Sequence, residues 1–133
     1  MRLTSRSEYA LLALVYLARN ADKGYLSVSS IASAQEIPPS FLEQILLTLK
    51  RARYVRSLKG QKGGYCLARP AKEISLAAVI RLIDGALAPT DSASKHFYES
   101  TPVEKEKKLL RLFKEIREYL SNKLEGTSLA DVS

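Results

Sequence analysis

Between Lys50 and Lys62 the chain carries six basic side chains, Lys50, Arg51, Arg53, Arg56, Lys59 and Lys62, and no acidic one. Just upstream stand Ser40, Glu43 and Gln44, at spacings that share one side of a helix. Lysine and arginine neutralise phosphates and release condensed counterions. Glutamine pairs with adenine, and glutamate accepts from the amino group of cytosine. The chemistry on offer is recognition of a polyanion with hydrogen bonds to base edges. Bond-making chemistry has no comparable set of residues. His96 is the only histidine, and no serine–histidine–acid set, metal cluster or catalytic carboxylate pair can be built around it, so an enzyme is not expected.

A net charge of +7 and a pI near 9.6 agree with a polyanionic partner. At 133 residues with 46% hydrophobic content, the chain fits one domain, or a small domain with an appendage. A single cysteine, Cys66, cannot form an internal disulfide, and a buried structural thiol is its expected role. The apolar run Tyr9–Ala18 is shorter than the roughly 20 residues of a membrane span, and no secretory signal is visible, so a cytoplasmic setting is expected.

These residues need elements to position them. Ser5-Arg6-Ser7-Glu8 has capping-box spacing for a first helix ending near Asn20, with Leu11, Leu14, Val15 and Ala18 as its apolar stripe, widened by Leu12 and Leu17. Arg2, Thr4 and Ser5 at its start are placed to meet a phosphate. Ser27 or Ser29 can cap a second helix through Gln35, with Ile31, Ala32 and Ala34 as its apolar contacts. Glu36-Ile37-Pro38 is a short turn, and Pro39 starts a third helix running to about Ala52. Leu42, Ile45, Leu46 and Leu49 form its buried stripe, leaving Ser40, Glu43, Gln44, Lys50 and Arg51 opposite, as a DNA-recognition helix requires. Leu47 breaks the pattern, and packing beneath the following hairpin is favoured over contact with a thymine methyl.

Residues 54–58 and 65–68 alternate as strands around the turn Lys59-Gly60-Gln61-Lys62-Gly63-Gly64. That is a wing with Lys59, Gln61 and Lys62 at its tip, whose glycines let the backbone approach a groove wall. A phosphate-cradling loop is disfavoured, because no helix begins after Gly64. Ser75 caps a fourth helix that stops at Gly85.

Residues 86–100 read as a loop, partly mobile, and as the one stretch able to host effector sensing. Thr101-Pro102-Val103-Glu104 is a second capping box opening a long helix to about Leu124. Leu109, Phe113, Ile116 and Leu120 make a heptad-like seam on it, widened by Leu112 and Tyr119. That is more apolar surface than one small head easily covers, so the seam favours a homodimer over packing onto the first helix of the same chain.

The fold class is thus mainly α: residues 1–85 form a winged helix-turn-helix head with a two-stranded wing, 86–101 a loop, and 102–133 a dimerisation helix and tail. The chain resembles the IscR–NsrR–CymR family of bacterial winged-helix regulators. The matching pieces are Met1-Arg2-Leu3-Thr4-Ser5 with Tyr9-Ala10, Ile31-Ala32, Ile37-Pro38, and Ser40-Phe41-Leu42-Glu43-Gln44-Ile45-Leu46. Leu49-Lys50, Val55, Gly60, Lys62-Gly63-Gly64-Tyr65, Leu67-Ala68-Arg69-Pro70, Ile74, Val79-Ile80 and Ile83-Asp84-Gly85 continue the match. It is close over residues 1 to about 88 and holds in outline for the last helix.

The resemblance implies a homodimer held by crossed C-terminal helices on a two-fold operator in double-stranded DNA. Ser40, Glu43 and Gln44 then match the base and backbone contacts, and Lys59 the wing-tip cation. Many members bind an iron–sulfur cluster through three cysteines in the loop before the last helix. This loop has none, so the chain looks like a clusterless member without a metal or cofactor, akin to regulators that answer to a small-molecule or protein effector. The expected function is a DNA-binding transcriptional regulator, most simply a repressor and not an enzyme; a protein-interaction module is the alternative.

Overall fold

The computed structural model describes residues 1–133. Helix α1 (Ser5–Arg19) lies at its centre, packed against four other helices: α2 (Val28–Gln35), α3 (Pro39–Arg51), α4 (Leu76–Asp84) and α6 (Leu129–Val132). Between α3 and α4, strands β1 (Val55–Leu58) and β2 (Gly64–Leu67) pair antiparallel, with Val55 opposite Leu67 and Leu58 opposite Gly64. The long α5 (Lys107–Glu125) follows α4 and a structured connection.

The buried face of α1 is Ala10, Ala13, Leu14 and Leu17, the spacing of one helical stripe. This face is rotated from the expected one: Leu11, Val15 and Ala18 flank it half-buried, and Leu12 is exposed. Two alanines serve here because α1 is crossed on several sides, and small side chains let neighbouring helices approach. In α2, Ile31 and Ala32 are buried, whereas Ala34 faces solvent.

Caps fix the helix starts. Ser75 accepts from the backbone N–H of Ala78 as expected, and of the two candidates for α2 it is Ser27, not Ser29, that caps, accepting from Ser30 N–H. For α1 the cap is Thr4, one residue before the expected Ser5: its hydroxyl accepts from Ser7 N–H at 3.2 Å. Glu8 makes no return hydrogen bond and only places negative charge at the helix N-terminus. Thr4 also donates through its N–H (3.1 Å) and its hydroxyl (2.5 Å) to the carboxylate of Asp84, joining the start of α1 to the end of α4. Partial burial pushes the Asp84 carboxyl upward, but the two Thr4 donations and nearby Arg6 outweigh it and hold it below the ordinary carboxylate range.

The second expected capping box does not form. Pro102–Lys105 is a separate turn of 3₁₀ helix, and α5 starts only at Lys107. Thr101 instead hydrogen-bonds Ser92 (2.6 Å) and Thr90 (3.1 Å), while Glu104 accepts from the hydroxyls of Tyr98 and Ser100. These bonds pin the connection at residues 86–101, where Leu87, Ala88, Ser92 and Ala93 are buried while residues 95–100 stand exposed.

After α5, residues 127–133 return to the head. Leu76 N–H donates to the Thr127 carbonyl, and Leu129 N–H to the Ile74 carbonyl. Leu129 is fully buried in the same core as Leu14 and Leu46. Leu129→Ala is expected to cost about 2–5 kcal/mol in denaturant unfolding, whereas exposed Val132→Ala should stay within about 0.5 kcal/mol. Asp84→Asn should weaken the fold at neutral pH. Because the Asp84 pKa is lowered, the difference from the parent should vanish as pH falls below the ordinary carboxylate range, checked by unfolding at neutral pH and at about pH 2.5.

Candidate nucleic-acid interface

The turn before α3 sets its direction. Glu36 ends α2 in the left-handed region (φ 54°), Ile37 plugs into the core, Pro38 is extended, and Pro39 occupies the first helical position. Leu42, Ile45, Leu46 and Leu49 are all fully buried, as their spacing predicts. Tyr9 meets Phe41 edge to face, with ring centroids 5.5 Å apart, and braces the helix against α1. With that stripe pinned, Ser40, Glu43, Gln44, Lys50 and Arg51 all stand exposed on the outer side.

Leu47 is exposed with them, at 44% of its surface, and belongs to neither hydrophobic cluster. The expected packing beneath the wing is not what forms. The wing is anchored by other residues. Arg69 stacks its guanidinium over the Tyr54 ring at 4.6 Å and donates to the carbonyls of Arg53 (3.3 Å) and Ala52 (3.5 Å). This ties the base of β2 to the end of α3. Nothing in the sequence marked Arg69 for that task, since its partners lie 16 and 17 residues away.

The glycines of the wing are needed inside the protein. A Cβ on Gly63 would lie 2.1 Å from the Leu58 carbonyl oxygen, and one on Gly64 would lie 2.1 Å from that of Leu26. The second approach arises because Leu26 pairs with Tyr65 through two backbone hydrogen bonds (2.9 and 2.8 Å), bracing the outer edge of β2. Only Gly60 (φ 109°) stands in open space at the tip, beside exposed Lys59, Gln61 and Lys62. Cys66 is half-exposed rather than buried, and its sulfur accepts from Arg56 Nε at 3.4 Å, so Arg56 is partly engaged within the wing.

The remaining cations of α3, the turn after it and the wing tip are free. The two ion pairs of the chain, Arg81–Glu125 and Arg117–Glu118, both involve the α5 region. Lys50, Arg51, Arg53, Lys59 and Lys62 are exposed without a carboxylate partner, the state expected of side chains that bind phosphate. At the N-terminus Arg2 and Ser5 are exposed, but Thr4 is committed to Asp84 and Ser7. Arg2 and Asp84 line an open cavity of about 520 Å³ with Phe97 and Thr101.

Residues 3–133 match the Rrf2 family, described as an iron-dependent transcriptional regulator. The chain belongs to the Rrf2 family. It is 42% identical over its whole length to an HTH-type transcriptional regulator of Mycobacterium tuberculosis, Rv1287, covering 81% of that protein. Its fold matches the global cysteine regulator CymR of B. subtilis with a TM-score of 0.78 at 26% identity, over 99% of this chain and 95% of that one. T. potens IscR matches with a TM-score of 0.77 at 26% identity, over 99% and 85%. As an Rrf2 member this chain is a DNA-binding transcriptional regulator of mainly helical, winged fold, and its relatives are regulators rather than enzymes. No helix is long and apolar enough to cross a membrane.

The residues present do not offer the thiolate set that an iron–sulfur cluster requires. Residues 86–101 contain no cysteine, Cys66 lies in the wing, and no three His, Cys, Asp or Glu side chains converge on one point. For the wing, Gly64→Ala is expected to destabilise the protein by more than about 2 kcal/mol, through both its φ of 146° and the contact with Leu26. Gly60→Ala should cost less, because only its φ opposes the change; thermal unfolding of the two variants checks the ranking.

Proposed function

We propose that this regulator is a homodimeric repressor that reads a two-fold operator without an iron–sulfur cluster. The observation that carries the reading is the uncovered side of α5. Leu109, Leu112, Ile116 and Tyr119 are 42%, 48%, 39% and 70% exposed, and Phe113 and Leu120 are half-buried beside them. Covering each would contribute on the order of 2 kcal/mol. A second copy of the same helix supplies a matching seam and gives the paired heads the symmetry of a DNA operator.

Ser40, Glu43 and Gln44 are then the base-edge group. Arg2, Ser5, Lys50 and Arg51 contact backbone phosphates, and Lys59, Gln61 and Lys62 enter the minor groove. Thr4 acts by holding the helix start that carries its neighbours. A dimer bound across a promoter excludes the polymerase, hence repression. Without cluster ligands, control falls to a small-molecule or protein effector, and a cytoplasmic location follows from a DNA target.

Scattering should give a particle of about twice 14.8 kDa, and Ile116→Glu should reduce it to one protomer that stays folded. Anaerobically purified protein should lack near-stoichiometric iron; a brown, iron-loaded sample would refute the clusterless reading. Lys59→Ala with Lys62→Ala should weaken binding to every sequence and lower the salt slope by roughly one per lost contact. Gln44→Ala should relax preference at one base step, by roughly 1–3 kcal/mol. Operator titrations across salt that match the parent for both variants would sink the assignment.

A further inference from the structure

Leu47 is the residue the interface leaves unexplained. On a helix of about 100° per residue, the buried stripe of α3 centres between Leu49 and Leu42, and Leu47 lies about 150° around from that centre. Glu43 falls on one side of it and Gln44 on the other, so the leucine occupies the middle of the polar arc. A lone exposed leucine is ordinary on a protein surface. One set among Ser40, Glu43, Gln44, Lys50 and Arg51, and belonging to neither hydrophobic cluster, occupies the place from which this helix meets its ligand.

We propose that Leu47 is a specificity-determining residue that reads the C5-methyl group of a thymine in the major groove. The inference rests on α3 being the base-reading helix. Given that, the partner is set by chemistry: the thymine C5-methyl is the one methyl that base edges present in the major groove, among groups that are mostly hydrogen-bond donors or acceptors. A leucine cannot satisfy a donor or an acceptor, and it gains by covering a methyl. Spacing places the target. Leu47 lies about 4.5 Å along the helix axis from Gln44 and about 6 Å from Glu43, against a base-pair rise of about 3.4 Å. The thymine is therefore one or two base pairs from the base that Gln44 contacts, once in each half of a two-fold operator.

The test uses the full-length protein and an operator selected from a random duplex library. Each thymine is replaced in turn by deoxyuridine, which removes the methyl and leaves every hydrogen-bonding group in place. The parent should lose about fourfold in affinity at one thymine per half-site, the worth of one buried methyl, and about fifteenfold when both half-sites are replaced. Leu47→Ala should bind the unmodified operator as weakly as the parent binds the replaced one, and should be indifferent to the replacement at that position. Leu47→Met, which keeps an apolar side chain, should retain the sensitivity. Because Leu47 is exposed, both variants should melt with the parent. A scan in which no thymine matters, or in which Leu47→Ala responds like the parent, overturns the proposal while leaving α3 as the reading helix. A parent that selects no operator at all overturns the DNA reading itself, and this proposal with it, before any thymine is replaced.

Discussion

The structure depends on the burial of one side of α3. Leu42, Ile45, Leu46 and Leu49 are sealed against α1 and its neighbours, and their loss of contact with water is what fixes the helix about its own axis. A helix held that way has no freedom to turn its polar residues inward. The exposure of Ser40, Glu43 and Gln44, and the outward stance of Lys50 and Arg51, follow from that single constraint. The turn at Glu36–Pro39 sets where the helix begins, and Tyr9 against Phe41 sets how closely it lies on α1.

The wing depends on α3 at one remove. Arg69 reaches from the end of the hairpin to the carbonyls that close α3 and lies over Tyr54 between them. Leu26 pairs the far strand to the segment before α2. The hairpin, too small to be stable alone, is therefore held at both edges, and Lys59 and Lys62 are carried on a braced finger.

The head and α5 are not independent pieces. The chain leaves the head through α4, crosses a connection pinned by Ser92, Thr101 and Glu104, and returns through α6 to bury Leu129 beside Leu14. Arg81 on α4 bonds Glu125 at 2.7 Å near the end of α5, and the donation holds that carboxyl below its ordinary range. The exposed apolar side of α5 is thus joined to the head through α4 and α6, which fixes its placement relative to α3.

Much of this was legible in the residues. The 3.6-residue spacing of leucines and isoleucines marked α3 and its outer face, serines 27 and 75 marked helix starts, and the glycine-flanked basic turn marked the wing. These are local signals, set by neighbours within a turn of helix or a hairpin, and local chemistry is what a sequence states directly. The misreadings share the opposite cause. Thr4 displaced Ser5 as cap because Asp84, 80 residues on, holds it in place. Thr101 was drawn to Ser92 instead of capping α5, Gly64 answers to Leu26, and Leu129 belongs to the head because α6 packs there against α1 and the turn at residues 71–74. The sequence by itself determined the elements, their apolar faces and the location of positive charge, through periodicity and short-range hydrogen bonding. Only the tertiary structure decided which hydroxyl caps, which glycine is obligatory and whether Leu47 is covered, because each of those is settled by groups that the fold brings together from far along the chain.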